Sequence, residues 1–148
     1  MPDRQDPASG RQLDALDVRR AEALAEHGTD LPVMCDAEGV IKYVGPSIVP
    51  LFGYHSADVL GQSGWSFVHP DDECALRDEW DRMASTPGAQ ATWETRVRRA
   101  DGSWVWIEER ATNLLHDPAV GSIVMNIRDV SDKRRAYQAL HEREEFFR

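Results

Sequence analysis

Residues 91–99, ATWETRVRR, and residues 104–115, WVWIEERATNLL, flank a short polar run, ADGS (100–103). Trp93, Thr95 and Val97 alternate with Glu94, Arg96 and Arg98. A period of two with apolar residues on one side is the pattern of a strand with one buried face. Asp101-Gly102 between the runs is turn chemistry, so the pair reads as an antiparallel hairpin. A third run, VGSIVMNIRDV (120–130), follows the turn His116-Asp117-Pro118, with Ile123, Met125 and Ile127 on one face. Three consecutive antiparallel strands make the C-terminal half a meander.

Working outward toward the N-terminus, HPDDE (69–73) opens a helix. Proline suits the first helical turn, and three acids sit where the helix dipole is positive. The helix is expected to run to about Ser85, before Pro87-Gly88, with Leu76, Trp80 and Met83 on one face. The acids Asp71, Asp72 and Glu73 are explained by the helix start; no further oxygen ligands stand at calcium-loop spacing. Pro46 and Gly53 break residues 46–61 into short helical pieces, with Ser56 as N-cap of the second and Gly61 ending it. Before them, LPVMCD (31–36) and VIKYVG (40–45) read as two strands joined at Ala37-Glu38-Gly39.

Residues 1–10 read as a disordered lead and 11–28 as a flanking helix, with Leu13, Leu16 and Leu24 on one side and Gly28 as its stop. That helix either covers its own domain or pairs with a second copy. Residues 131–148 form a charged helix with Ser131 as its cap, leaving residues 29–130 as the core domain. The fold class is α+β with about five strands in one sheet.

The 148 residues suit one domain plus flanking helices, and 41% apolar content supplies a core. The net charge of −9 is uneven: −3 over residues 1–30, −7 over 31–127 and +1 over 128–148. An acidic body argues against nucleic-acid binding through counterion release. No apolar stretch approaches the ~20 residues of a membrane helix, and residues 1–12 lack a signal-peptide core, so no membrane contact is expected of this segment. Two cysteines, Cys35 and Cys74, are too few for a disulfide framework or zinc cluster and fit a cytoplasmic location. There is no phosphate-cradling glycine loop, nucleophile motif or Cys/His cluster, so the chain reads as non-catalytic.

Four stretches, DAEGVIKYVGPSIVPLFGY (36–54), ADVLGQSGWSFVHPDDE (57–73), RRADGSWVWIEERATNLL (98–115) and IVMNIRDVSDKRRA (123–136), together resemble a PAS sensor domain, in family order and spacing. The resemblance implies a five-stranded antiparallel sheet in the order 2-1-5-4-3, with short helices over a small cavity on one face. It implies that Val33, Cys35, Trp93, Thr95, Val97, Val105, Ile107, Glu109, Ile123, Met125 and Ile127 face that cavity. The same list describes a packed hydrophobic core, and the sequence leaves both readings open. Glu109 stands out, because an inward carboxylate must be paired or neutralised. Trp104 and Trp106 fall on the outer face and need a cover, from the helix at 11–28 or a second subunit.

Flavin-binding PAS domains of the light-sensing kind carry a cysteine where this chain has Gly64, and amides where it has Val97, Ile107 and Ile127. FMN is therefore not expected. Haem is not expected either, since the helix after Pro70 holds no histidine. No cofactor is anticipated; a small apolar ligand in the cavity is the remaining option. Arg128-Asp129-Val130-Ser131 resembles the element that ends many PAS cores, with Asp129 pairing Arg110 or another strand arginine and Ser131 capping the output helix. The resemblance implies a sensory and dimerisation module of a multidomain bacterial signalling protein, a homodimer through its flanking helices and outer sheet face. An output domain, such as a histidine kinase, cyclic-di-GMP enzyme or phosphatase, would follow in the same chain. The alternative is a ligand-free protein-interaction module with a self-filled cavity.

Overall fold

The computed structural model describes residues 30–146. The helix expected at 11–28, with Leu13, Leu16 and Leu24, lies outside the described residues. Five strands, β1 (Leu31–Cys35), β2 (Ile41–Val44), β3 (Gln90–Arg98), β4 (Trp104–Leu114) and β5 (Ser122–Asp129), form one antiparallel sheet in the order β2-β1-β5-β4-β3. Between β2 and β3 lie α1 (Ile48–Phe52), α2 (Ser56–Val59), a 3-10 turn (Gly64–Phe67) and α3 (Pro70–Ala84). After β5 comes α4 (Ser131–Phe146). The expected fold class and strand order are thus observed.

Local chemistry sets each joint. In the β1–β2 turn, Asp36 Oδ1 accepts the amides of Glu38 at 3.0 Å and Val40 at 2.9 Å. Gly39 closes this turn at φ +90°, and a Cβ there would stand 3.0 Å from Trp65 Nε1. Glycine therefore serves both the turn and the seating of an indole. Helix α2 starts at Ser56 itself, with His55 before it and no side-chain cap, so the expected Ser56 N-cap is displaced by one position. His69 caps α3 as its Nδ1 accepts the Asp71 amide at 3.0 Å.

The core lies between the sheet and α1–α3: Val105, Ile107 and Ile123 meet Leu76, Trp80 and Met83 in one cluster. Asn113, 2% exposed, fastens the end of α3 to β4. Its Nδ2 donates to the carbonyls of Met83 (2.9 Å), Ala84 (3.1 Å) and Thr86 (3.0 Å), and its Oδ1 accepts the Leu115 amide at 3.0 Å. The helix-end carbonyls, which lack partners within the helix, are thereby satisfied inside the protein.

Both sheet edges are partly occupied. Along β2, Val40 bridges to Ser63, the Ile41 amide donates to the Gln62 carbonyl at 2.9 Å, and Gly61 donates back to the Ile41 carbonyl at 2.8 Å. Along β3, Val68 bridges to Val97 and the His69 amide donates to the Arg96 carbonyl at 3.0 Å.

Candidate functional site

Between the sheet and α1–α3 is a cavity of about 100 Å³. The strands contribute Leu31, Val33, Cys35, Trp93, Glu109 and Ile127 among others; α1 contributes Ile48 and Phe52, and α3 Leu76 and Trp80. Of the residues expected to face it, Val33, Cys35, Trp93, Val97, Glu109, Met125 and Ile127 lie in its wall. Thr95, Val105, Ile107 and Ile123 point to the same side of the sheet but belong to the packed core, each at most 2% exposed. This corrects the expectation for those four: period two assigns a face, whereas the short helices decide which part of that face meets open space.

Aromatic residues shape the cavity. Trp80 stands edge-on to both Trp65 (centroids 5.9 Å) and Trp93 (6.2 Å), and its Nε1 donates to the Ala37 carbonyl at 2.9 Å. Tyr54 meets Phe67 edge-on at 5.2 Å and donates its hydroxyl to the Arg98 carbonyl at 2.8 Å. The sequence reading missed Trp65, Phe52 and Ile48 as cavity residues; short helical pieces carry no periodicity that could have assigned them a face.

Glu109 is the one acidic group in this wall among the described residues. Burial pushes its carboxyl above the ordinary glutamate range, opposed by the Trp93 indole, whose Nε1 donates to Oε1 at 2.5 Å. Glu108 beside it turns to the opposite face and pairs with Arg110 at 3.3 Å. The Cys35 thiol is pushed up to about 12, first by burial and then by Glu109 and Asp36, so it is a neutral packing group there.

Asp72, expected only to favour the start of the helix, also reaches across to β3. Its carboxylate accepts the Arg96 guanidinium twice, at 2.7 and 3.1 Å, the Arg96 amide at 3.0 Å and the Thr95 hydroxyl at 3.2 Å. The Arg96 hydrogen bond, above all, holds its pKa down to about 2 against burial, which raises it. A depressed carboxylate contributes stability above its unfolded value, 3.8, that is lost as pH falls through about 2. Asp72→Asn is therefore expected to flatten that part of the acid-unfolding curve and to lower stability near neutral pH. Urea midpoints from pH 2 to 7 would check it; parallel curves for the two proteins would sink it.

On the outer face, Trp104 is 40% exposed with the His69 ring 4.6 Å from it. Trp106 is half-buried beneath Arg134 of α4, 3.7 Å from its centroid, with Arg96 at 5.1 Å. The described cover of Trp106 thus comes from α4, through cation–π contacts. Arg134 and Lys133 also pair with Glu94 of β3, at 3.1 and 3.8 Å.

At the junction of β5 with α4, the side-chain acceptor is Asp129: its Oδ1 takes the Ser131 amide at 2.8 Å, which corrects the cap assigned to Ser131. The other carboxylate oxygen faces Arg99, the residue after β3, at 3.4 Å; of the expected partners, Arg110 or another strand arginine, Arg110 is engaged by Glu108 instead. Arg99 Nε also donates to the Leu51 carbonyl of α1 at 3.3 Å. Among the described residues no group of three or more His, Cys, Asp or Glu could hold a metal ion, and no helix is long and apolar enough to cross a membrane.

With this architecture in view, a family profile described as PAS fold matches residues 41–125. The chain belongs to the PAS-fold family. Solved structures with similar folds include a domain of a sensory box sensor histidine kinase/response regulator from Geobacter sulfurreducens, 26% identical, with TM-score 0.61 over 76% of this chain and 94% of that one. Another is the PAS domain of a protein from Colwellia psychrerythraea, 24% identical, with TM-score 0.66 over 80% of this chain and 99% of that one; at that identity the likeness shows the fold alone. Among curated proteins, an uncharacterised protein, y4lL, of Sinorhizobium fredii is 30% identical across 92% of this chain, and White collar 2 protein of Neurospora crassa is 33% identical across 57%. The chain spans only 18% and 16% of those two proteins' lengths.

Proposed function

We propose that this PAS domain is a sensory and dimerisation module, in which occupancy of the cavity is relayed to α4 and onward to an output domain of a larger signalling protein. One observation carries the reading: Arg99 links the Leu51 carbonyl of α1 to Asp129, and Asp129 holds the first amide of α4. Ile48 and Phe52 of the same α1 form part of the cavity wall. A shift of α1 on ligand entry would thus be felt at the start of α4 through two polar contacts. The half-exposed Arg99–Asp129 pair is worth at most ~1 kcal/mol, which suits an adjustable joint.

The test is Arg99→Gln, read by hydrogen exchange. Amides of residues 131–135 are expected to exchange several-fold faster, with global stability changed by no more than about 1 kcal/mol. Unchanged exchange in that turn would remove Arg99 from the relay.

The second reading, a protein-interaction module without ligand, is favoured by α4: Tyr137 and Leu140 are 74% and 56% exposed. Native mass spectrometry separates the two, because a co-purifying small molecule is expected only of the sensor. The dimer is tested by light scattering, in which Tyr137→Glu with Leu140→Glu should shift the mass toward monomer if α4 pairs.

A further inference from the structure

The polar atoms around the cavity are nearly all committed inside the protein. The Tyr54 hydroxyl and the Trp80 and Trp93 indoles have partners, and the neutral Cys35 thiol leans toward the Ile123 carbonyl at 3.9 Å. Among the described wall residues two groups differ: the Trp65 indole, whose Nε1 is seated against Gly39, and Glu109. Glu109 Oε1 takes the Trp93 N–H, while Oε2 has no protein partner among the described residues. Although protein surrounds it, Glu109 keeps accessible surface, and its place in the cavity wall supplies the space that surface faces.

Among the described residues, the elements around Glu109 offer it no cation. From β1 comes Cys35, from β3 Trp93, from β5 Ile127 directly opposite, and from α3 Leu76 and Trp80. The nearby acid on α3, Asp72, is committed to Arg96 and Thr95. An ionised carboxylate would lie in an apolar wall with one hydrogen bond and no counter-charge, so the neutral acid is the favoured form. A neutral carboxyl carries an O–H donor, and here Oε2 is the oxygen free to hold it.

We propose that the cavity selects small neutral molecules bearing one hydrogen-bond-accepting oxygen or nitrogen, and that the Glu109 carboxyl donates to that atom. This rests on the reading of the cavity as a sensing site and adds the ligand's chemistry. A volume of about 100 Å³ admits roughly four to six non-hydrogen atoms, given that a 150 Å³ cavity takes benzene. The apolar wall receives the body of such a molecule, and the Glu109 donor fixes its orientation. Anions find no cation in this wall among the described residues, and a purely apolar molecule leaves the donor unused.

Five-membered rings of nearly equal size test this: cyclopentanone with an acceptor, cyclopentane without one, and pyrrolidine as a cation at neutral pH. Xenon serves as a probe of the space alone. Binding is followed by the indole N–H resonances of Trp65, Trp80 and Trp93. Cyclopentanone is expected to bind about tenfold tighter than cyclopentane, the worth of one net hydrogen bond. It should also shift the Trp93 signal most, and its advantage should shrink as pH rises and Glu109 ionises. Glu109→Gln, whose amide both accepts from Trp93 and donates, should keep the preference and lose the pH dependence. Glu109→Leu should bind both rings alike; if that variant does not fold, Glu109→Gln alone decides.

Equal binding of the two rings, with xenon entering, overturns the selection and leaves the sensing cavity standing. Pyrrolidinium binding tighter than cyclopentanone, and more so at higher pH, overturns it in favour of an ion pair. Exclusion of xenon removes the cavity reading and the proposal with it.

Discussion

Asn113→Leu is expected to lower the stability of the domain by about 3 kcal/mol or more, the largest loss of any single polar substitution in this core. Asn113 serves four backbone groups at once, three carbonyls at the end of α3 and the Leu115 amide, in a site 2% exposed to water. Leucine fills a similar volume and satisfies none of them; the Met83 and Thr86 carbonyls keep the amides of Thr86 and Ala89, while the Ala84 carbonyl and the Leu115 amide lose their described partner. Each buried group left without a partner costs roughly 1–3 kcal/mol, and partial relaxation of the helix end offsets some of the sum. In a domain of this size the melting temperature should fall by roughly 10 °C or more. Asn113→Asp keeps an acceptor for Leu115 but turns an oxygen toward three carbonyls, so it should be no milder. A leucine variant within 1 kcal/mol of the parent in urea unfolding would show that α3 does not depend on this clasp.

Trp80→Ala carries the second large effect, about 3–5 kcal/mol, the usual loss for deleting a buried indole. Trp80 is 5% exposed, anchors its N–H on the Ala37 carbonyl of the β1–β2 turn, and holds Trp65 and Trp93 edge-on. Its removal should enlarge the cavity it borders, and added indole should recover part of the lost melting temperature by filling the space. A loss below about 1 kcal/mol, or indole without effect on the variant, would mean that the helices collapse onto the gap.

The sheet was legible because alternation is a local signal. The run Val105, Ile107, Glu109, Ala111, Asn113 points one way along β4, and the sequence already marked Glu109 as the polar residue facing inward. Asn113 shares that parity, and the same reasoning, carried two positions further, would have flagged it. What could not be read were pairings made across the chain. Arg96, Arg98 and Arg99 stand within four residues, yet one meets Asp72, another pairs with no acid among the described residues, and the third joins α1 to Asp129. Partner choice there depends on the β3–β4 turn, where Arg99 donates to the Ser103 carbonyl at 2.7 Å and Ala100 to the Phe52 carbonyl at 2.8 Å. Likewise, the place of Trp65 in the cavity wall depends on the missing Cβ of Gly39, a neighbour in space and not in sequence.

The occupied sheet edges bear on how this domain can meet other proteins. A bare edge strand offers its row of unpaired amides and carbonyls to any extended chain, the route to strand addition and to fibrous polymers. Here residues 61–63 take up the start of β2, and Val68, His69 and Asp72 take up the outward groups of Val97 and Arg96 on β3. Along β2 only residues 42–44 remain open, too short a template for a stable extra strand, whereas residues 90–95 of β3 have no outward partner among the described residues. Backbone pairing with another chain is thereby confined to the first part of β3, while the outer surface of the sheet and α4 offer recognition in which side chains choose the partner.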